Sequence, residues 1–83
     1  MVWVTEARHE GGFKIRLRFN DGLEALVDLE SVLRNDPRPI FRATAAPDAF
    51  ARFRVELDTL VWDTGLDLAP EFLHELAKAS VAA

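Results

Sequence analysis

The sequence predicts an α+β fold: an antiparallel β-meander, a second β-hairpin, short helical pieces and a C-terminal helix packed on one sheet face. Three observations carry this. Residues 13–19, "FKIRLRF", alternate apolar and basic without a break, the period of a strand with one buried and one wet face. Two glycine-bearing clusters, "HEGG" and "NDG", flank that segment and supply tight reversals on either side of it. Near the end, "PEFLHELAKASV" sets Phe72, Leu73, Leu76 and Ala77 on one helical stripe and Glu71, His74, Glu75 and Lys78 on the other.

The elements follow in order. "MVWVTEAR" is rich in β-branched and aromatic residues and reads as strand one. Gly11 and Gly12 then allow the positive φ of a tight turn. Strand two points Phe13, Ile15, Leu17 and Phe19 one way and Lys14, Arg16 and Arg18 the other. The return strand, "LEALVDL", puts Leu23, Ala25, Val27 and Leu29 on one face. Its Glu24 and Asp28 lie opposite, where they partly neutralise the basic ladder within the sheet.

"DLESVLRNDP" gives one short helical turn, ended by Pro37. "RPIFRATAA" reads as a loop pinned by Ile40 and Phe41. "PDAFARFR" reads as a short helix with Pro47 in its first turn and Asp48 at its positive end. Phe50 and Phe53 are spaced to pack together on the sheet. "VEL-DT-LVW" is a second hairpin about Asp58-Thr59. In the last helix Pro70 suits the first turn, and two early glutamates and a late lysine agree with the helix dipole.

Whole-chain properties bound the rest. At 83 residues the chain is a single small α+β domain, residues 1–83. A domain of this size buries only about 60% of its unfolded surface, so modest stability is expected. It has no cysteine, which excludes disulfides, thiolate nucleophiles and zinc-thiolate sites and fits a cytoplasmic protein. No apolar run reaches the ~18 residues of a membrane span, and no signal-peptide pattern opens the chain. The net charge of −4 is uneven. Met1–Asn20 has four cationic side chains against two anionic, whereas Glu56–Ala83 has one against six. Such polarity favours oriented association with a charged partner or of unlike ends of two copies.

Four constellations invite a chemical reading. Asp63-Thr64-Gly65 has the tripeptide of an aspartic protease, but that chemistry needs two carboxylates sharing a proton, and only 18 residues follow Gly65. Asp and Thr bonding their own backbone, with Gly at positive φ, make a turn instead. Glu71-x-x-His74, with Glu75, Asp67 and Asp63 nearby in sequence, has the spacing of a di-iron helix motif. Those sites need two copies, so the set reads as a solvated helix face and no cofactor or metal is expected. Lys14, Arg16 and Arg18, with Arg8, form a basic ladder suited to phosphates; Arg38, Arg42, Arg52 and Arg54 would extend it if the fold gathers them. Phe13 and Phe19 alternate away from that face, which weakens it as a stacking platform. Trp3 and Trp62 read as core residues, or as interface anchors where exposed.

Three segments taken together resemble a known family: "FNDGLEALVDLESVL", "PDAFARF" and "DTLVWDTGLDLAPEFLHELA". The chain is similar to the bacterial domain-of-unknown-function family number 2442. The matching positions are Phe19, Asp21 and Gly22; Val27, Asp28 and Leu29; Phe50; and Trp62, Gly65, Asp67, Leu68, Pro70 and Glu71. Asp63-Thr64 departs from it, since many members have Pro-Asn there. His74 departs too, at a position where tyrosine is common. The resemblance implies an α+β fold with no established activity. It also implies a small protein often encoded beside another, as in a toxin–antitoxin-like pair. Some relatives add a helix-turn-helix DNA-binding domain, for which this chain has no room.

These readings converge on a non-enzymatic protein-binding module. Its partner would be a co-encoded small protein, to which it would be the antitoxin-like member, or a second copy of itself. The surface residues assigned to it are Asp63, Asp67, Glu71 and Trp62 at the junction before the last helix, and Arg16 and Arg18 on the sheet. Asp67 doubles there as an acceptor for N–H groups at the helix start. The alternative is a nucleic-acid-associated regulator using the Arg/Lys face. No membrane association is expected.

Overall fold

The structure, a computed structural model, describes residues 1–82. Strands β1 (Val4–His9), β2 (Lys14–Phe19) and β3 (Glu24–Asp28) form one antiparallel sheet in the order β1-β2-β3. Three short helices follow: α1 (Glu30–Asn35), α2 (Pro39–Thr44) and α3 (Pro47–Phe50). A second antiparallel sheet joins β4 (Phe53–Glu56), β5 (Thr59–Trp62) and β6 (Asp67–Leu68) in the order β4-β5-β6. The chain closes with α4 (Pro70–Ala82). The predicted α+β class, the meander, the second hairpin and the covering helix are all present.

The alternation of β2 sets the inside of the first sheet. Ile15, Leu17 and Phe19 are buried, as are Ala25 and Val27 opposite them. Outside, Lys14 faces Asp28 and Arg18 faces Glu24 across the β2–β3 ladder. Strand β1 begins at Val4, later than the sequence suggests. Trp3 is held instead by Asn20, whose side chain accepts the Trp3 N–H at 2.8 Å. The sheets are tied where the Val4 N–H donates to the Asp58 carbonyl at 2.9 Å.

Two hairpins close by the same device. In the first, the Gly22 N–H donates to Phe19 O and the Phe19 N–H to Leu23 O, with Gly22 at φ +92°. In the second, the Gly65 N–H donates to Trp62 O and the Trp62 N–H to Leu66 O, with Gly65 at φ +96°. Each is a three-residue loop that ends on a glycine in the left-handed region and returns the chain as a bulged hairpin. Asp63-Thr64-Gly65 is therefore built as Asn20-Asp21-Gly22 is.

Five expectations need correction. Residues 39–44 form α2, not a loop: Pro39 starts it, Phe41 and Thr44 are buried, and the Thr44 hydroxyl donates to Ile40 O at 2.8 Å. The β4–β5 turn is Leu57-Asp58, at φ 52° and 69°, because Thr59 pairs with Glu56 as the first residue of β5. Phe53 opens β4 and is not helical. Asp67 does not cap α4; it lies in β6 opposite Val61. Trp62, assigned to a partner-binding surface, is 1% exposed and donates its indole N–H to Phe50 O at 3.0 Å.

The core runs across both sheets. Phe50 sits at its centre, 5.1 Å from the Phe13 ring and 5.9 Å from that of Trp62, centroid to centroid. Aromatic side chains of this size dominate core energetics through buried area and offset ring contacts. Helix α4 lies along β3 and buries Leu73 and Ala77. It is fastened at two points: His74 Nε2 lies 2.8 Å from Asp21 Oδ2, and the Ser80 hydroxyl donates to Leu26 O at 2.7 Å. No helix among the described residues is long and apolar enough to cross a membrane.

Candidate functional site

Two surfaces carry the residues that the sequence singles out, and their electrostatics differ. The first is the outer face of the β1-β2-β3 sheet. Strand alternation brings Arg8, Arg16 and Arg18 together there with Glu6, Glu10 and Glu24, around a shallow depression of about 430 Å³. Arg18 donates to Glu24 Oε1 through Nε at 3.0 Å and Nη2 at 2.7 Å. Arg8 Nε reaches Glu10 Oε2 at 2.7 Å. Arg16 lies 3.7 Å from Glu10 and 3.9 Å from Glu24.

These pairs set the titration of the face. The hydrogen bond from Arg8 holds the Glu10 carboxyl below the usual range, and that from Arg18 does the same for Glu24. Glu24 in turn raises the Arg18 guanidinium. Arg8, Arg16 and Arg18 thus each have a carboxylate within 4.0 Å. A phosphate backbone would have to displace those carboxylates before gaining the counterion release that drives nucleic-acid binding. The wider cluster is divided as well: Arg38 bonds Asp36 at 2.7 Å, and Arg54 bonds Glu56 at 2.6 Å and Asp63 at 2.9 Å.

The second surface is the β6–α4 junction. Asp63 stands in the turn before β6, exposed and paired with Arg54. Thr64 is fixed from below, its hydroxyl 2.6 Å from that of Thr44. The Thr44 hydroxyl proton goes to Ile40 O, so Thr64 is the donor between them. Asp63 therefore shares the Arg54 guanidinium with Glu56, and a cation held between two carboxylates is the wrong electrostatics for a proton-sharing dyad.

Asp67 and Glu71 are different. Both are exposed, and neither side chain makes a hydrogen bond or ion pair among the described residues. Asp67 alternates outward because its neighbours Leu66 and Leu68 turn into the core. Between β6 and α2 runs a groove of about 350 Å³, lined by Ile40, Phe41, Leu66, Leu68 and Phe72, with Arg38 at its rim. Phe72 is 41% exposed and also borders a second shallow hollow with Val32, Pro37 and Leu76, between α1 and α4. Arg38 stacks 4.6 Å from the centre of the Phe41 ring, which fixes that wall.

The acidic cluster that the sequence suggests is only partly assembled. Asp63 turns to Arg54 and Glu75 to Lys78, at 2.9 Å each. His74 does not join Glu71; it faces Asp21 and packs edge-on against Phe19 at 4.9 Å. Asp21 is held below the usual carboxylate range, first by the Leu23 N–H and then by His74. Phe72 is the residue that sequence reasoning misses. The periodicity puts it on the buried stripe, but β3 covers only the Leu73 and Ala77 side of α4. Its place beside Glu71 at the margin of that stripe was the available signal.

A family model described as "Protein of unknown function (DUF2442)" matches residues 4–79. No curated protein and no solved structure matches the chain.

Proposed function

Because the chain belongs to the family described as protein of unknown function (DUF2442), its role has to be read from its geometry, and we propose that it is a non-enzymatic protein-binding module. Its docking surface is the β6–α4 junction. The observation that carries this reading is the exposed Phe72 ring, set beside an apolar groove and flanked by Asp67 and Glu71, two carboxylates without partners. Aromatic anchors over desolvatable pockets, bounded by a polar rim, are the usual make-up of a protein interface. The partner is a small protein with a basic docking segment, in keeping with the antitoxin-like half of a two-protein bacterial pair acting in the cytoplasm.

The paired arginines favour this surface over the sheet face. Arg16 and Arg18 already have carboxylates in reach, whereas Asp67 and Glu71 gain their first ionic partner on binding. The test is a pull-down at moderate salt with nuclease, comparing wild type with Asp67→Lys and Arg16→Glu. A stoichiometric partner lost with Asp67→Lys and kept with Arg16→Glu is the expected outcome. The reverse pattern, or recovery of nucleic acid alone before nuclease, would move the function to the arginine face.

A further inference from the structure

Sheet edges expose unpaired main-chain groups, and folded proteins cover or tie them. This chain does so at two edges. On β3 the outward carbonyl of Leu26 receives the Ser80 hydroxyl. On β1 the outward amide of Val4 donates to Asp58. On β6 nothing comparable occurs. The Trp62–Leu66 pair is hydrogen-bonded, and antiparallel pairs alternate between bonded and non-bonded. Asp67, opposite Val61, is therefore in a non-bonded pair, and its N–H and C=O both point away from β5. Neither has a partner among the described residues. They open onto the groove, one wall of which is the continuous run Gly65–Ala69.

Resting on the reading of this junction as a docking surface, we infer that its occupant is an extended segment of a partner chain, added to β6 as a fourth strand. The register dictates its chemistry. The residue opposite Asp67 shares that residue's outward face, so it is lysine or arginine, paired across the strands with Asp67 and within reach of Glu71. The residues on either side of it point inward, next to Leu66 and Leu68, and meet Ile40, Phe41 and Phe72; they are apolar. The recognised pattern is apolar–basic–apolar in a β-strand, bound by main-chain hydrogen bonds for affinity and alternate side chains for specificity. A helix laid in the groove would leave the Asp67 amide and carbonyl unpaired.

The experiment is a display selection of random twelve-residue peptides on the intact protein. The enriched sequences are then synthesised with and without N-methylation at the basic residue. Amide chemical shifts report where each binds. The expected result is an apolar–basic–apolar consensus that shifts the Asp67 and Ala69 amides. It should weaken tenfold or more on N-methylation and on Asp67→Lys, and hold its affinity in Arg16→Glu. Peptides that bind at Phe72 but tolerate N-methylation would overturn strand addition and leave the docking surface standing. Enrichment on the outer face of the first sheet, or no enrichment, would overturn both. Asp67 is exposed, and an unchanged thermal melt of Asp67→Lys confirms that its effect is not unfolding.

Discussion

Trp62 decides whether the division between core and surface is right, and Trp62→Phe tests it. The wild-type indole is 1% exposed and gives its N–H to the Phe50 carbonyl at 3.0 Å. Phenylalanine removes part of the ring system and leaves a small cavity, at a cost of about 1–2 kcal/mol. It also leaves a buried carbonyl without its donor, a further cost of about 1–3 kcal/mol. The sum, about 2–5 kcal/mol, compares with a total stability of about 5 kcal/mol for so small a domain. The variant should lose roughly half its stability or more. Urea unfolding followed by far-ultraviolet circular dichroism reads this as a lower midpoint at unchanged slope. Trp3→Phe is the control: Trp3 is 38% exposed, and its replacement should cost no more than about 0.5 kcal/mol. A loss under about 0.5 kcal/mol in Trp62→Phe would refute the burial argument and return Trp62 to the surface.

The turn chemistry and the charge pattern give three further expectations. Gly65→Ala should cost about 1–2 kcal/mol from the left-handed backbone alone, since the new methyl meets only Ile40 Cδ1 at 3.8 Å; a neutral result in urea unfolding would mean that the turn relaxes. Leu57→Asn should raise the thermal midpoint by relieving about 0.5–1 kcal/mol of strain at an exposed leucine with φ 52°; a lower midpoint would show that the leucine packs. Finally, Glu10, Asp21, Glu24, Asp36 and Glu75 are all held below the usual carboxylate range. Groups that bind protons less tightly when folded contribute stability that is fully present above their unfolded values. The urea midpoint should therefore hold from pH 7 to 5 and fall below about pH 4.5. Because the groups are exposed, added salt should blunt that fall; a midpoint indifferent to acid would show that the pairs are not formed in solution.

What the sequence revealed followed from periodicity and turn chemistry. The strict alternation of residues 13–19 and the Asn20-Asp21-Gly22 turn were enough for the first sheet and for the charge pairing on its outer face. The glycine of the second turn also marked Asp63 as the start of a reversal. The misses have physical causes. Helix α2 contains Ile40 and Thr44, β-branched residues with weak helical preference, and its one buried hydroxyl is satisfied only through Ile40 and Thr64. Strand β6 has two residues, too few for any period, and exists because the Gly65 turn returns the chain against β5. The candidate site was half legible. Asp67 and Glu71 were marked by charge, but the exposure of Phe72 depends on how far β3 covers α4, and the open edge depends on the pairing of a strand without a sequence signature.

The proposed docking of a partner at the β6–α4 junction can be tested in cells. The most direct measurement is site-specific photo-crosslinking in the cells that express the protein, with a benzophenone amino acid placed at Phe72 or, separately, at Arg16. A discrete protein adduct of fixed mass is expected from position 72, abolished by Asp67→Lys, and none from position 16. An adduct from position 16 alone, or one from position 72 that survives Asp67→Lys, would contradict docking at this junction.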